Sequence, residues 1–289
     1  MFSLSFGAGN LLAEEQAEET LAKLKDRITL SGTIEIEVGW SEDFEGASES
    51  DITLATAEIG AEVKIVEWAV GSLNLEWVDE DDKISVDEAF ITLGDTEKIP
   101  ASLKAGRSIV PFGVFETNTI SDPLTLEAFE TKEDALMAGF KVAGVHGGIY
   151  IFNGDTNEGG GDDKIEHYGA HVGYTLENDN LTVSAHLGYL SSVIDSDGLS
   201  ENLDLEADYV GGLAAEASVT FAGVTLTGEY ISAIDDHQPA DGASSKPSAF
   251  HLEAGYSVKL DLPLFVALSF SGTEDLVTIL PENRLAAGE

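Results

Sequence analysis

Six histidines and 54 acidic side chains are the groups in this 289-residue chain that could do chemistry. Their spacing decides which chemistry. A hydrolase would need a serine, a histidine and an acid converging, yet no G-x-S-x-G elbow occurs, and the one adjacent set, Asp235-Asp236-His237, reads as chance proximity. His167 and His171 lie four residues apart, which in an extended strand is about 13 Å. That is too far for one metal held at about 2 Å by each ligand. Asp155–Asp163 (DTNEGGGDD) and Asp195–Gly198 carry carboxylates suited to Ca²⁺, but neither keeps the spacing of a calcium loop, so both read as solvated acidic loops. Cysteine is absent, which excludes disulfides and thiolate sites. No catalytic residue, metal ligand set or cofactor is expected, and the chain does not read as an enzyme.

What the histidines and glutamates share is a register. From Ile28 the apolar positions Ile28, Leu30, Ile34, Ile36, Val38 and Trp40 alternate with polar ones, the mark of a strand with one apolar face. The same period returns in Ala57–Ile65, Ala69–Trp77, Leu136–Val142, Val145–Ile151, Tyr168–Leu176, Leu181–Tyr189, Leu213–Phe221, Val224–Tyr230, Phe250–Leu260 and Leu264–Phe270. About 14 strands are expected, the last beginning near Asn283. Long acidic connections alternate with tight turns such as Ala143-Gly144 and Ala222-Gly223, as in an up-and-down outer-membrane barrel. Only about eight strands can be filled by side chains, so the apolar face of so large a sheet should point outward, to lipid. Aromatics fall near both ends of that register, Trp40, Trp77, Tyr168, Tyr189, Tyr230 and Phe250 at one and Tyr174, Phe221 and Tyr256 at the other, as two interfacial girdles would. The fold class predicted is all-β, an antiparallel up-and-down transmembrane β-barrel over residues 28–289. Residues 1–27 read as a leader followed by a short N-terminal helix, Glu14–Arg27. The end of the chain falls part-way into a strand, so further C-terminal strands are expected to complete the barrel.

The opposite register is then the lumen. It holds Glu35, Glu58, Glu88, Glu216, Glu229 and Glu253, with Lys64, Lys104, Lys141 and Lys259 as the minority, and His146, His167, His171, His186 and His251. Two readings stand side by side: a water-filled bore that tolerates polar groups, and a pathway that favours cations or metal complexes. One stretch breaks the alternation. Ser108–Glu133 is too long for an ordinary connection and, with Phe112, Phe115, Leu124, Leu126 and Phe129, too apolar for a free one. It reads as a loop folded into the bore as a constriction, with Phe112 or Phe115 on the wall and Arg107 at its base paired with Glu116 or Glu88.

The formal net charge of -40 makes nucleic acid a poor partner. Lipid, small solutes and further copies of the chain remain as partners.

The segments VDEAFITLG (Val86–Gly94), AGR (Ala105–Arg107), PFG (Pro111–Gly113), ISDPLTLE (Ile120–Glu127), FNGD (Phe152–Asp155), DYVGGL (Asp208–Leu213) and LEAGY (Leu252–Tyr256) resemble the LbtU-type siderophore porins. The resemblance implies an outer-membrane barrel that takes up a small iron chelate, the ferric siderophore, without the plug of the energy-coupled receptors. A structural or adhesive barrel, its acidic loops binding divalent ions or partners, is the alternative.

Overall fold

A computed structural model describes residues 25, 27–42, 48–78, 83–94, 98–119, 121–154, 164–200, 209–237, 244–258 and 264–276. Thirteen strands are described, and the fourteenth expected near Asn283 lies outside these residues. Of the helix expected over Glu14–Arg27, only Lys25 and Arg27 are described.

The chain forms two compact units, residues 1–93 and 94–289. In the first, β1 (Ile28–Glu42), β2 (Ser48–Val66), β3 (Ala69–Val78) and β4 (Lys83–Leu93) make an antiparallel meander. β2 begins earlier than the alternation suggests. Ser48–Asp51 are polar, but they continue the ladder opposite Gly39–Glu42, so pairing rather than side-chain period sets the strand's start. Ile34 and Ile36, two residues apart, share a face, and a register shift on β2 places Ala57 and Leu54 opposite them; both isoleucines are exposed, as are Val38, Ile52 and Ile84.

The second unit contains β5 (Ser102–Ile109), β6 (Lys132–Val142), β7 (Val145–Phe152), β8 (His167–Asn178), β9 (Leu181–Leu190), β10 (Gly212–Phe221), β11 (Val224–Ala233), β12 (Ser248–Val258) and β13 (Leu264–Glu274). Each pairs antiparallel with the next. Two of its turns need left-handed backbone at both central residues, Ala143-Gly144 (φ 51 and 85) and Ala222-Gly223 (φ 53 and 86). Those values match the twist of a two-residue hairpin.

The two faces of this unit differ sharply. One carries exposed Leu136, Ile149, Val172, Leu187, Leu226, Leu252 and Leu268, the last 78% accessible. Tyr168, Tyr189, Tyr230 and Phe250 bound it at one end, Tyr174, Phe221 and Tyr256 at the other. An apolar surface of this extent, rimmed by aromatics, is not a water-facing surface. The other, inner face is polar in its middle and, at the long-loop end, covered by an apolar cluster built around Phe112, Phe129, Leu190, Ile194, Leu199 and Ile231. Two of those six come from strands and four from the connections, which therefore fold back over the inner face.

Candidate functional site

The connection between β5 and β6 holds the cluster together. Val110 donates to the Thr131 carbonyl at 2.9 Å, closing the loop's base as the strands part. Pro123 then starts a short helix, α1 (Leu124–Phe129), whose first bonds run from Leu126 and Glu127 to the Pro123 carbonyl. Phe112 and Phe129 are fully buried. The backbone at Phe112 lies directly on β9: a Cβ at Gly188 would collide with the Phe112 carbonyl, so only glycine admits the loop there.

Two wall glutamates fasten the loop's far side. Glu229 Oε1, on β11, accepts from the backbone N–H groups of Val114 (2.8 Å) and Phe115 (3.2 Å). Phe115 has φ 58, a left-handed conformation that costs a non-glycine residue about 1 kcal/mol or more. The turn it makes aims two successive N–H groups at one oxygen, a small anion nest filled by the chain's own carboxylate. Glu253, on β12, accepts from Asn118 N–H at 2.9 Å, Asn118 Nδ2 at 2.6 Å and Thr117 Oγ1 at 2.7 Å. Both glutamates are about 5% exposed. A buried carboxylate needs such donors, and charge-assisted bonds of this kind are worth about 1.5–3 kcal/mol each.

A second connection lies over the first. After β9 come a single 3₁₀ turn (Val193–Asp195) and a one-turn helix, α2 (Asp197–Ser200). Asp197 N–H donates to the Glu130 carbonyl at 2.8 Å, and the Ser196 and Thr131 hydroxyls meet at 3.0 Å. Asp195 is fully buried with its Oδ2 3.0 Å from His167 Nδ1. The solvated acidic loop expected at Asp195–Gly198 is therefore corrected. Val193, Ile194 and Leu199 bury the turn, and the carboxylate goes in with them because a histidine meets it.

The residues singled out from sequence are placed as follows. Phe112, Phe115 and Glu229 come together at the loop contact, and Glu116 is exposed on the loop, near enough to Glu216 to repel it. His146, His171 and His186 line the inner face of β7, β8 and β9, with ring centroids 6.5 Å apart for the first pair and 5.5 Å for the second. His167 shares that register but sits beneath the second connection, stacked on Phe152 at 5.3 Å and edge-on to Tyr209 at 4.5 Å. It is a buried anchor, not a group facing the bore. Glu88 lies in the first unit, on the face of Asn74, its partner across β3 and β4. Arg107 is a correction. Its partner is Asp134, and its parity is that of Leu103 and of Ala105, which faces exposed Leu136, so it stands exposed on the outer face. Gly106 and Ser108, its neighbours, take the inner positions, and strand parity leaves no other choice. Sequence reasoning missed Gly188 and Gly212, which the loop and the second connection abut, because a glycine in a strand signals close approach without saying by what.

Among the described residues no group of three or more histidine or acidic side chains is arranged to hold a metal. No described helix is long and apolar enough to cross a membrane, which says nothing of strands.

Solved structures with this arrangement are outer-membrane proteins. An anion-selective porin from Comamonas acidovorans matches with a TM-score of 0.58 at 13% identity, over 85% of this chain and 79% of that one. Salmonella typhi OmpF, solved with daunomycin, gives 0.56 at 16% identity, over 85% and 78%. Pseudomonas putida OprB gives 0.56 at 11%, over 89% and 77%. The fold is that of the outer-membrane porins. With its exposed aliphatic belt, a porin fold belongs in the bacterial outer membrane. Among curated proteins, a UPF0422 protein of Coxiella burnetii is 26% identical over 95% of this chain and 64% of its own length. A UPF0422 protein of Legionella pneumophila strain Philadelphia 1 is 22% identical over 89% and 54%. The chain thus spans about half to two thirds of the curated relatives it matches. No family profile matches it.

Proposed function

We propose that the chain forms part of a non-enzymatic outer-membrane channel for small solutes in which residues 110–131 narrow the pathway. The observation that carries this reading is the fastening of the loop to Glu229 and Glu253 on the inner face. A loop that bound partners outside would project its apolar residues to water, whereas Phe112 and Phe129 are wholly covered. The loop of residues 110–131 is therefore not the surface of an adhesive barrel, whose acidic loops lie in part outside the described residues. The solute we favour is chelated iron, on the resemblance of the PFG and ISDPLTLE segments to siderophore porins. Arg107, on the outer face, has no part in selection.

Liposome swelling with neutral saccharides of graded size, using the full-length protein, tests the channel. A sharp size limit supports it, and no swelling with the smallest sugar contradicts it. Iron-limited growth on a ferric siderophore, with and without the gene, tests the solute separately.

A further inference from the structure

The inner face of the second unit is divided by charge. Toward β10–β12 it carries Glu216, Glu229 and Glu253. Toward β5–β8 the same register carries Glu133 and Glu177 near the strand ends and no acidic residue between them. Two adjoining hollows lie there, of about 240 and 340 Å³, and both are lined by Ser102, Gly139 and His171. Lys104 lines the first, and Lys141, His146 and Thr175 line the second. Among the described residues none lining either hollow is acidic, in a chain with 54 acidic residues against 14 basic ones.

The hollows follow from the ladder. Ser102, Gly139, Gly148 and His171 stand in one row across β5, β6, β7 and β8. The two central members lack side chains, so the floor between the serine and the histidine is bare backbone. A Cβ at Gly139 would stand 3.1 Å from Ser102 Oγ, and one at Gly148 would stand 3.1 Å from His171 Nε2. The next inward row places Lys141 opposite His146. The Lys141 ammonium group, the Ser102 and Thr175 hydroxyls and the imidazole N–H groups are all donors, and donors around a bare floor suit an oxyanion.

We propose that this groove is a binding subsite for a small oxyanion-bearing solute, a carboxylate or a phosphate. It rests on the reading of the inner face as the wall of a solute pathway, and it names the chemistry that wall selects. Being on the face opposite the aliphatic belt, the groove is out of reach of lipid headgroups, so its ligand is a free solute.

The test is calorimetric titration of the folded full-length protein in detergent, with inorganic phosphate and with succinate as separate arms. Titration needs no conduction, so its failure is distinct from failure of the channel, which swelling reads. Binding of either ligand in the millimolar range is expected. Lys141→Gln should weaken it about tenfold, the loss of roughly one charge-assisted contact, while Lys141→Arg should retain it. Phosphate binding alone or succinate binding alone assigns the preferred oxyanion. Absence of heat with both, or equal affinity in the Lys141→Gln variant whose folded, heat-modifiable gel band persists, overturns the proposal. Should that variant not fold, Gly139→Val, which fills the floor, must abolish binding, and retention of binding there overturns the proposal equally.

Discussion

At the scale of single residues, two carboxylates and one glycine hold the loop. Glu253 takes three loop donors and Glu229 takes two. Glu253→Ala removes the larger set and leaves the Asn118 amide without its acceptor, a loss of about 2–4 kcal/mol from loop docking. Hydrogen exchange should show Asn118 losing most of its protection, with the β12 amides unchanged. If Asn118 exchanges at the wild-type rate, the clamp is incidental. Gly188→Ala should act at the other end, since the new methyl meets the Phe112 carbonyl. Overpacking of this kind costs about 1–3 kcal/mol. It should speed exchange at Val114 and Phe115, and unchanged rates would mean the backbone is not in contact there.

Strands were the legible elements. Their alternation gave nearly every boundary within a few residues, because one face meets lipid and the other does not, and a slip of one residue would exchange the faces. Leu252 and Thr225 illustrate the consequence, the first outward and 53% exposed, the second inward and bonded to Thr220 at 2.9 Å. Arginine at Leu252 should cost about 2–4 kcal/mol, and at Thr225 much less. Equal losses in urea unfolding from vesicles would refute the register. The connections were less legible. α1 has six residues and α2 four, too few to display a helical period. Asp195 was misread for the same reason. An acidic loop looks solvated until a partner such as His167, distant in sequence, is seen to meet it. Arg107 was misplaced because its charge was weighed above its strand parity.

At the scale of the whole molecule, a porin fold has the inner face of its second unit covered, at the loop end, by its own connections. Removing residues 111–123 deletes the contacts to Gly188, Glu229 and Glu253 together while leaving both flanking strands intact. The most direct measurement is single-channel conductance of the full-length protein in planar bilayers, before and after that deletion. Conductance should rise, and solutes excluded by the native protein should pass. Unchanged conductance in a folded deletion variant would contradict this, because residues 110–131 would then not narrow the pathway.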